Sequence, residues 1–172
     1  MMKNDIIIRK LETSDAVHIL DWMNDEDIMK NFRINKKNCN MDSVLKFIND
    51  SYNDENIHFA ISDLSNQYIG TISLKNINLV NMNAEYAIVL KKEFHGKGIA
   101  KQASKLILKF GFEDLKLEKI YLNVLSKNER AIELYKSLGF NYEGTFKKHV
   151  KIKFKLEDIN WFAMQREEFN YD

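Results

Sequence analysis

Two glycines separated by a single lysine, Gly96 and Gly98, stand directly before an apolar run with helical spacing. Glycine lacks a Cβ atom, so the backbone can come close to a bound group at these positions. The N–H groups that open a helix have no partner inside it, and the helix dipole makes them attractive to anions. The turn over residues 95–100 therefore predicts a site for a diphosphate, with a plain tight turn into a helix as the alternative.

Three side chains around this turn, His95, Lys97 and Lys101, add hydrogen-bonding or positive groups. Two other phosphate motifs do not fit. The loop of nucleotide hydrolases needs G-x-x-x-x-G-K-[ST], and no stretch of the chain matches it. The dinucleotide fingerprint G-x-G-x-x-G needs a third glycine where Lys101 stands. The sequence thus favours main-chain amides, assisted by basic side chains, as the ligands of a diphosphate.

The composition disfavours several other classes of protein. The 172 residues include 26 basic and 25 acidic side chains, for a net charge of +1, whereas nucleic-acid binders normally show a basic surplus. No apolar run approaches the roughly 18 to 20 residues that span a bilayer, and the N-terminus lacks the layout of a signal peptide. The only cysteine, Cys39, excludes an internal disulfide and fits the cytoplasm. We expect no nucleic-acid or membrane partner.

The spacing of apolar residues predicts the element order β-α-α-β-β-β-α-β-α-β-β in a single domain over residues 1–172. A strand over 6–11 precedes a helix capped by Thr13 or Ser14, and a second helix is capped near Asp42. The other expected elements are strands at 57–64, 68–77, 84–90 and 119–125, helices at about 98–115 and 128–139, and final strands at roughly 140–155 and 159–167. Strands 84–90 and 119–125 flank a helix, so we expect them to be parallel in an α+β mixed sheet.

Two motifs carry a resemblance to a known family. The turn resembles the pyrophosphate loop R/Q-x-x-G-x-G/A of the GCN5-related N-acetyltransferase (GNAT) family, matching at Gly98 and Ala100, whereas His95 departs from Arg or Gln. The stretch LNVLSKNERAIELYKSLGF resembles that family's second signature, with Asn128 before a helix that bears Tyr135. The element order agrees as well, so the resemblance covers nearly the whole chain. It implies a GNAT-type, mostly antiparallel sheet with a central parallel β-loop-α-β unit and flanking helices.

The resemblance implies an acyltransferase in which an amine attacks acetyl-CoA directly, so Cys39 is not needed as a nucleophile. The implied cofactor-binding residues are Ile88, Val89, Leu90, His95, Gly96, Lys97, Gly98, Ile99, Ala100, Asn128 and Arg130. The backbone of residues 88–90 would pair with the pantetheine arm, as an added strand would, and Asn128 would anchor its other side. A backbone N–H near Val89 or Leu90 would bind the thioester oxygen.

Two side chains are implied as catalytic. Tyrosine has a pKa of about 10 and thiols of about 8.5, so Tyr135 holds its proton at pH 7 and can protonate the leaving thiolate. The alternative is that Tyr135 only packs in the core. The substrate ammonium has a pKa of about 10.4 and must lose a proton before it attacks. Glu85 is the best placed carboxylate to accept that proton, directly or through water, or to hold the ammonium; an ordinary exposed strand carboxylate is the alternative.

The sequence determines the acceptor amine less well than it determines the reaction. Residues 68–146 look closest to spermidine and diamine acetyltransferases, whereas LDWMNDEDIMKNF is more similar to enzymes of nucleotide-linked amino sugars and of ribosomal-protein N-termini. The candidate substrate residues are Trp22, Asn24, Arg33 and Glu85, and a place in the core is the alternative for Trp22. Arg33 lies in a basic stretch, KNFRINKKN, that suits a phosphorylated substrate, while the acidic residues 25–27 could face a cation.

The resulting prediction is acetyl transfer to a primary amine of a small molecule, either a polyamine or a nucleotide-linked amino sugar. N-terminal acetylation of a ribosomal protein and a non-catalytic CoA-binding module are the alternatives. The scattered histidines lack the spacing of metal ligands, so no metal is expected. A homodimer is the assembly we consider, because dimers are common in such folds.

Overall fold

The computed structural model describes residues 6–29 and 39–171. Seven strands form one sheet in the order β1-β2-β3-β4-β5-β7-β6, and every described neighbouring pair is antiparallel except β4 with β5. The strands are β1 Ile6–Lys10, β2 Ile57–Asp63, β3 Tyr68–Asn78, β4 Asn83–Leu90, β5 Lys119–Leu125, β6 Asn141–Ile152 and β7 Lys155–Gln165. The predicted α+β class and the mostly antiparallel sheet with a central parallel pair are confirmed.

Helices cover both faces of this sheet. They are α1 Ala16–Asn24, α2 Glu26–Met29, α3 Met41–Asn49, α4 Ile99–Lys109 and α5 Glu129–Leu138. One hydrophobic cluster lies between the sheet and α4 and α5, and a second joins the sheet to α1 and α3. Residues 68–74 of β3 are all buried because helices pack on both faces there. A strand covered on both faces reads as a continuous apolar or small-residue run.

The beginnings of two helices differ from the sequence prediction. Thr13 and Ser14 do not cap α1; a 3-10 turn over Thr13–Asp15 precedes it, and the Asp15 carboxylate accepts the Glu12 N–H at 2.9 Å. Asp15 is buried at 2% exposure, and an ion pair of 2.8 Å with Arg9 of β1 compensates its charge. The local capping box between Glu12 and Asp15, together with the ion pair to Arg9, therefore sets how the helix starts.

The second difference is at α3, where Asn40 takes the capping position expected near Asp42. The Asn40 side chain accepts the Ser43 N–H at 2.9 Å, and the Ser43 hydroxyl accepts the Asn40 N–H at 3.1 Å. This reciprocal pair satisfies both backbone donors, so Asp42 falls within the first turn. Helix α4 ends earlier than predicted and continues as a wider π-helical turn over Phe110–Asp114.

The parallel ladder between β4 and β5 is short. Its pairs are Asn83 with Lys119, Ala84 with Ile120 and Glu85 with Tyr121, and no further pair joins the two strands. Beyond Glu85 the strands diverge, which leaves the far half of β4 without a neighbour on that side. The chain then turns through a 3-10 segment, Lys92–Phe94, into the glycine turn that opens α4.

Candidate active site

A cleft of about 1380 Å³ lies where β4 and β5 diverge. It brings together most of the predicted residues: Glu85, Ile88, Val89, Leu90, His95, Gly96, Gly98, Ile99, Ala100, Asn128, Arg130 and Tyr135. These residues come from β4, the glycine turn, α4 and α5. The divergence of the two strands therefore creates the space that the sequence motifs surround.

The glycine turn has a backbone that other residues rarely adopt. Gly96 and Gly98 both have φ +76°, in the left-handed region, and a Cβ added to either would meet nothing within 4 Å. Gly98 is the N-cap of α4, and its carbonyl accepts the Gln102 N–H at 3.2 Å as the first helical bond. The N–H groups of the first turn, before Gln102, have no acceptor within the helix, and residues 98–101 line the cleft. This cradle fits the diphosphate of a coenzyme A.

The backbone of β4 presents its groups alternately to β3 and to the cleft. A Cβ on Gly70 of β3 would lie 2.2 Å from the Val89 carbonyl oxygen, which therefore points toward β3. The Leu90 N–H of the same trans peptide points the opposite way, toward the cleft. The Lys91 N–H donates to Ile69 at 3.0 Å, so the Leu90 carbonyl also faces the cleft. Of the two predicted donors for a thioester oxygen, the structure favours Leu90.

Tyr135 lies on α5 beneath this cleft and is only 9% exposed. Its ring meets Tyr86 edge-on, with centroids 5.9 Å apart, and lies 6.1 Å from Phe140. Burial raises the pKa of Tyr135 to about 12, since the phenolate would lose its hydration. The hydroxyl thus stays protonated throughout the neutral range.

Asn128 and His95 have defined partners in the cleft wall. The Asn128 side-chain oxygen accepts the Ala131 N–H at 3.3 Å and caps α5. The backbone N–H of Asn128 donates to the Leu125 carbonyl at 2.8 Å. His95 is 3.0 Å from the Leu90 carbonyl through Nε2 and 3.3 Å from Arg130 through Nδ1. The imidazole therefore connects the end of β4 to the first turn of α5.

Glu85 is not an ordinary exposed carboxylate. Its Oε1 is 3.1 Å from Lys75 Nζ and accepts the Asn123 side-chain amide at 3.1 Å, while Oε2 accepts the Asn76 amide at 2.9 Å. Sequence reasoning missed these three partners because strand register brings them to Glu85 from β3 and β5. The polar Asn123 within the otherwise apolar run KIYLNVL was the available signal.

The structure does not bring every candidate residue into the cleft. Trp22 is in the core, where its Nε1 donates to the Tyr68 hydroxyl at 3.1 Å, and it does not line the cleft. Asn24 ends α1 at the surface, away from the lining. The Lys97 ammonium lies 5.3 Å above the Phe94 ring rather than along the cleft. Arg33 and the other basic residues of its stretch lie outside the described residues.

Two of the acidic residues expected to face a cation, Asp25 and Asp27, already pair with a lysine of the chain. Lys92 forms ion pairs with Asp25 at 2.8 Å and with Asp27 at 2.9 Å. The hydrogen bond from Lys92 holds the pKa of Asp25 below its usual range. Asp27 and Lys92 also line the cleft, and of these two the sequence did not indicate Lys92. These residues join α2 to the segment that leads into the glycine turn.

Residues 6–29 and 39–171 contain no group of three or more His, Cys, Asp or Glu placed to hold a metal ion. No helix within those ranges is both long enough and apolar enough to cross a membrane.

A cleft between diverging parallel strands, with a glycine turn opening the adjacent helix, is the arrangement that the resemblance to the GNAT family implies. Residues 5–141 match the family model described as an acetyltransferase (GNAT) domain, and the chain belongs to this family. The resemblance found in the sequence motifs is thereby confirmed.

Several relatives are named for their activity. The spermidine N(1)-acetyltransferase of Escherichia coli K12 is 38% identical over 91 residues, which are 53% of this chain and only 49% of that enzyme. The Vibrio cholerae enzyme of the same name is 29% identical over 159 residues, which cover 92% of this chain and 91% of that enzyme. A crystal structure of spermidine N-acetyltransferase from Vibrio cholerae with CoA and spermine superimposes with a TM-score of 0.88 at 27% identity, covering 95% of this chain and 96% of that one.

Proposed function

We propose that this protein is an acetyl-CoA-dependent N-acetyltransferase whose acceptor is a primary amine of a polyamine such as spermidine. The observation that carries the proposal is one cleft that contains the glycine turn, the Leu90 amide and Tyr135. The fold-wide likeness to an enzyme solved with CoA and spermine supports the choice of a polyamine over an amino sugar. The cytoplasm, where acetyl-CoA is made, is the place of action that we infer, and a homodimer is the assembly to examine.

The chain's own groups can hold the cosubstrate at several points. The amides of residues 96–100 bind the diphosphate, and the left-handed glycines keep that approach open. The unpaired edge of β4 offers alternating N–H and C=O groups to the amides of the pantetheine arm. When bound, acetyl-CoA supplies the acetyl group as a thioester. The Leu90 N–H points toward the cleft and donates to the thioester oxygen. A donor of this type contributes about 3 kcal/mol in the transition state.

Glu85 acts in this proposal by attracting the ammonium. Lys75 and Asn123 donate to Oε1 of Glu85 and Asn76 donates to Oε2, and a carboxylate has about four lone-pair sites, so Oε2 can still accept an N–H of the substrate ammonium. Its negative charge at the edge of the cleft draws a cationic substrate toward the diverging strands. Water then takes the proton that the attacking nitrogen releases.

Tyr135 assists the leaving sulfur by holding a proton on its hydroxyl. With a pKa of about 12, the hydroxyl is a weaker acid than a thiol of pKa about 8.5. Complete transfer of the proton from Tyr135 to the thiolate is therefore uphill by about 5 kcal/mol. A hydrogen bond donated from the Tyr135 hydroxyl to the developing thiolate is the contribution that this environment favours.

Release of free thiol from acetyl-CoA, measured with a panel of amines, tests the proposal. The panel contains spermidine, spermine, a nucleotide-linked amino sugar and a peptide with a free N-terminus. We expect the highest kcat/KM with spermidine or spermine. Turnover with the peptide and with no other amine of the panel would instead establish N-terminal acetylation. CoA binding without thiol release in the presence of any of these amines would establish a non-catalytic module.

A further inference from the structure

The imidazole of His95 contacts one group that can only accept and one that can only donate. Its Nε2 is 3.0 Å from the carbonyl oxygen of Leu90, and its Nδ1 is 3.3 Å from Nη1 of Arg130. A carbonyl oxygen cannot donate a hydrogen bond, and a guanidinium cannot accept one. Of the two neutral tautomers and the cation, only the neutral ring with its proton on Nε2 satisfies both contacts.

This arrangement gives His95 a role different from that of a phosphate ligand. Nε2 donates to Leu90, and Nδ1 offers its lone pair to Arg130, so neither ring nitrogen is left to donate to an anion. Arg130, in contrast, donates one N–H to the imidazole, and a guanidinium carries further N–H groups that can donate to an anion. The guanidinium, not the imidazole, is the group that can reach a phosphate.

We propose that His95 is a positioning residue that orients Arg130 toward the diphosphate of coenzyme A. Arg130 is an exposed side chain on the first turn of α5, and an exposed arginine loses much rotational freedom when it binds. The Nδ1 acceptor fixes the guanidinium beside the turn that begins at His95, and so reduces that loss before the ligand arrives. The same imidazole ties α5 to β4, the two walls of the cleft.

The inference rests on the proposed use of acetyl-CoA and is tested by equilibrium binding of CoA, measured by calorimetry. We expect His95→Ala and Arg130→Ala each to weaken CoA binding about tenfold, as for one charge-assisted hydrogen bond. The double variant should lose little more than either single one, because both remove the same contact. Additive losses would show that the two side chains act independently and would overturn the proposal.

Two substitutions at His95 distinguish positioning from direct phosphate binding. A glutamine can donate to Leu90 and accept from Arg130, so we expect His95→Gln to restore binding to within about twofold of the wild-type affinity. An arginine donates only, so His95→Arg should lose as much affinity as His95→Ala despite its added charge. If His95→Arg bound CoA as tightly as wild type, direct contact with the phosphates would be the better assignment.

The particular phosphate is identified with dephospho-CoA, which keeps the diphosphate and lacks the 3′-phosphate. We expect Arg130→Ala to weaken binding of CoA and of dephospho-CoA by the same factor. A loss seen only with CoA would place the guanidinium at the 3′-phosphate and overturn the assignment. Absence of CoA binding by the wild-type chain would instead refute the proposed function, so the two failures are distinguishable.

Discussion

Single side chains in this cleft derive their chemistry from neighbours that are distant in the sequence. Tyr135 is an ordinary tyrosine in sequence terms, but burial against Tyr86 and Phe140 raises its pKa to about 12. Glu85 appears as one acidic residue in a strand, yet Lys75, Asn76 and Asn123 occupy its oxygens. The environment thus makes Tyr135 a hydrogen-bond donor and Glu85 an electrostatic anchor.

The role of the Tyr135 hydroxyl is tested by Tyr135→Phe. We expect kcat to fall roughly 100-fold at neutral pH, as for loss of a group that assists proton transfer or a developing charge. KM for acetyl-CoA should change little, since phenylalanine keeps the edge-on packing with Tyr86. Steady-state kinetics over pH 6 to about 10 provides the measurement. Unchanged kcat across that range would reduce Tyr135 to a packing residue.

His58 provides a second residue-scale prediction, this time for stability. Burial and then the nearby charge of Lys75 lower the pKa of His58 from 6.5 to about 4. Between these values the unfolded chain binds a proton that the folded chain does not, so stability falls as the pH is lowered. The loss due to His58 should be about 2 kcal/mol at pH 5 relative to pH 7.

Urea unfolding at pH 7 and pH 5 checks this prediction, with His58→Gln as the matched variant. Glutamine does not titrate and can keep a hydrogen bond to Ser73, which is 2.7 Å from His58 Nδ1. All other titrating groups are shared, so the difference between the two proteins isolates His58. Equal losses of stability in wild type and variant would contradict the assignment.

At the scale of elements, local sequence patterns identified the helices and strands but not all of their ends. The second strand was predicted at 57–64 and lies at Ile57–Asp63, and the glycine turn, α5 and Gly139 at its end lie where the motifs indicated. The starts of α1 and α3 were missed because Asp15 pairs with Arg9 of another element and Asn40 forms a reciprocal cap. The sequence leaves Trp22 open between the acceptor site and the core, because the partner that places it in the core, Tyr68, is 46 residues away in the chain. A contact with another element decides the Asp15 and Trp22 cases, and one sequence does not specify it, whereas the Asn40–Ser43 cap is a local pattern that the sequence contains.

Gly70 is a position whose importance no sequence pattern indicated. A Cβ there would lie 2.2 Å from the Val89 carbonyl oxygen and 2.8 Å from the Leu90 side chain. We expect Gly70→Ala to destabilise the protein by about 1–3 kcal/mol, as for an overpacked core. It should also weaken CoA binding, because the displaced backbone is the cleft edge of β4. Unfolding and calorimetry provide the measurements, and folded Gly70→Ala with wild-type affinity would show that β4 does not set the site.

At the scale of the whole molecule, the sheet consists of two parts joined by a short ladder. Strands β1 to β4 form one part and β5, β7 and β6 the other, and three residue pairs connect β4 to β5. Helices α4 and α5 pack across this junction within the larger hydrophobic cluster. The cleft exists because the ladder stops at Glu85 and Tyr121, so the same discontinuity that interrupts the sheet provides the site.

A ligand that fills this cleft should raise the stability of the whole chain, and it should protect the backbone amides of the cleft specifically from hydrogen exchange. At a CoA concentration of 100 times Kd, stability should rise by about 2.7 kcal/mol, and Tm by roughly 5 to 10 °C for a chain of this size. Amide hydrogen exchange should slow at Ile88, Leu90 and residues 96–101, where main-chain N–H groups line the cleft. The edge strands β1 and β6 should exchange as before, apart from a uniform effect of global stabilisation. Protection concentrated at β1 or β6, with the glycine turn unchanged, would mean that CoA binds somewhere other than between β4 and β5.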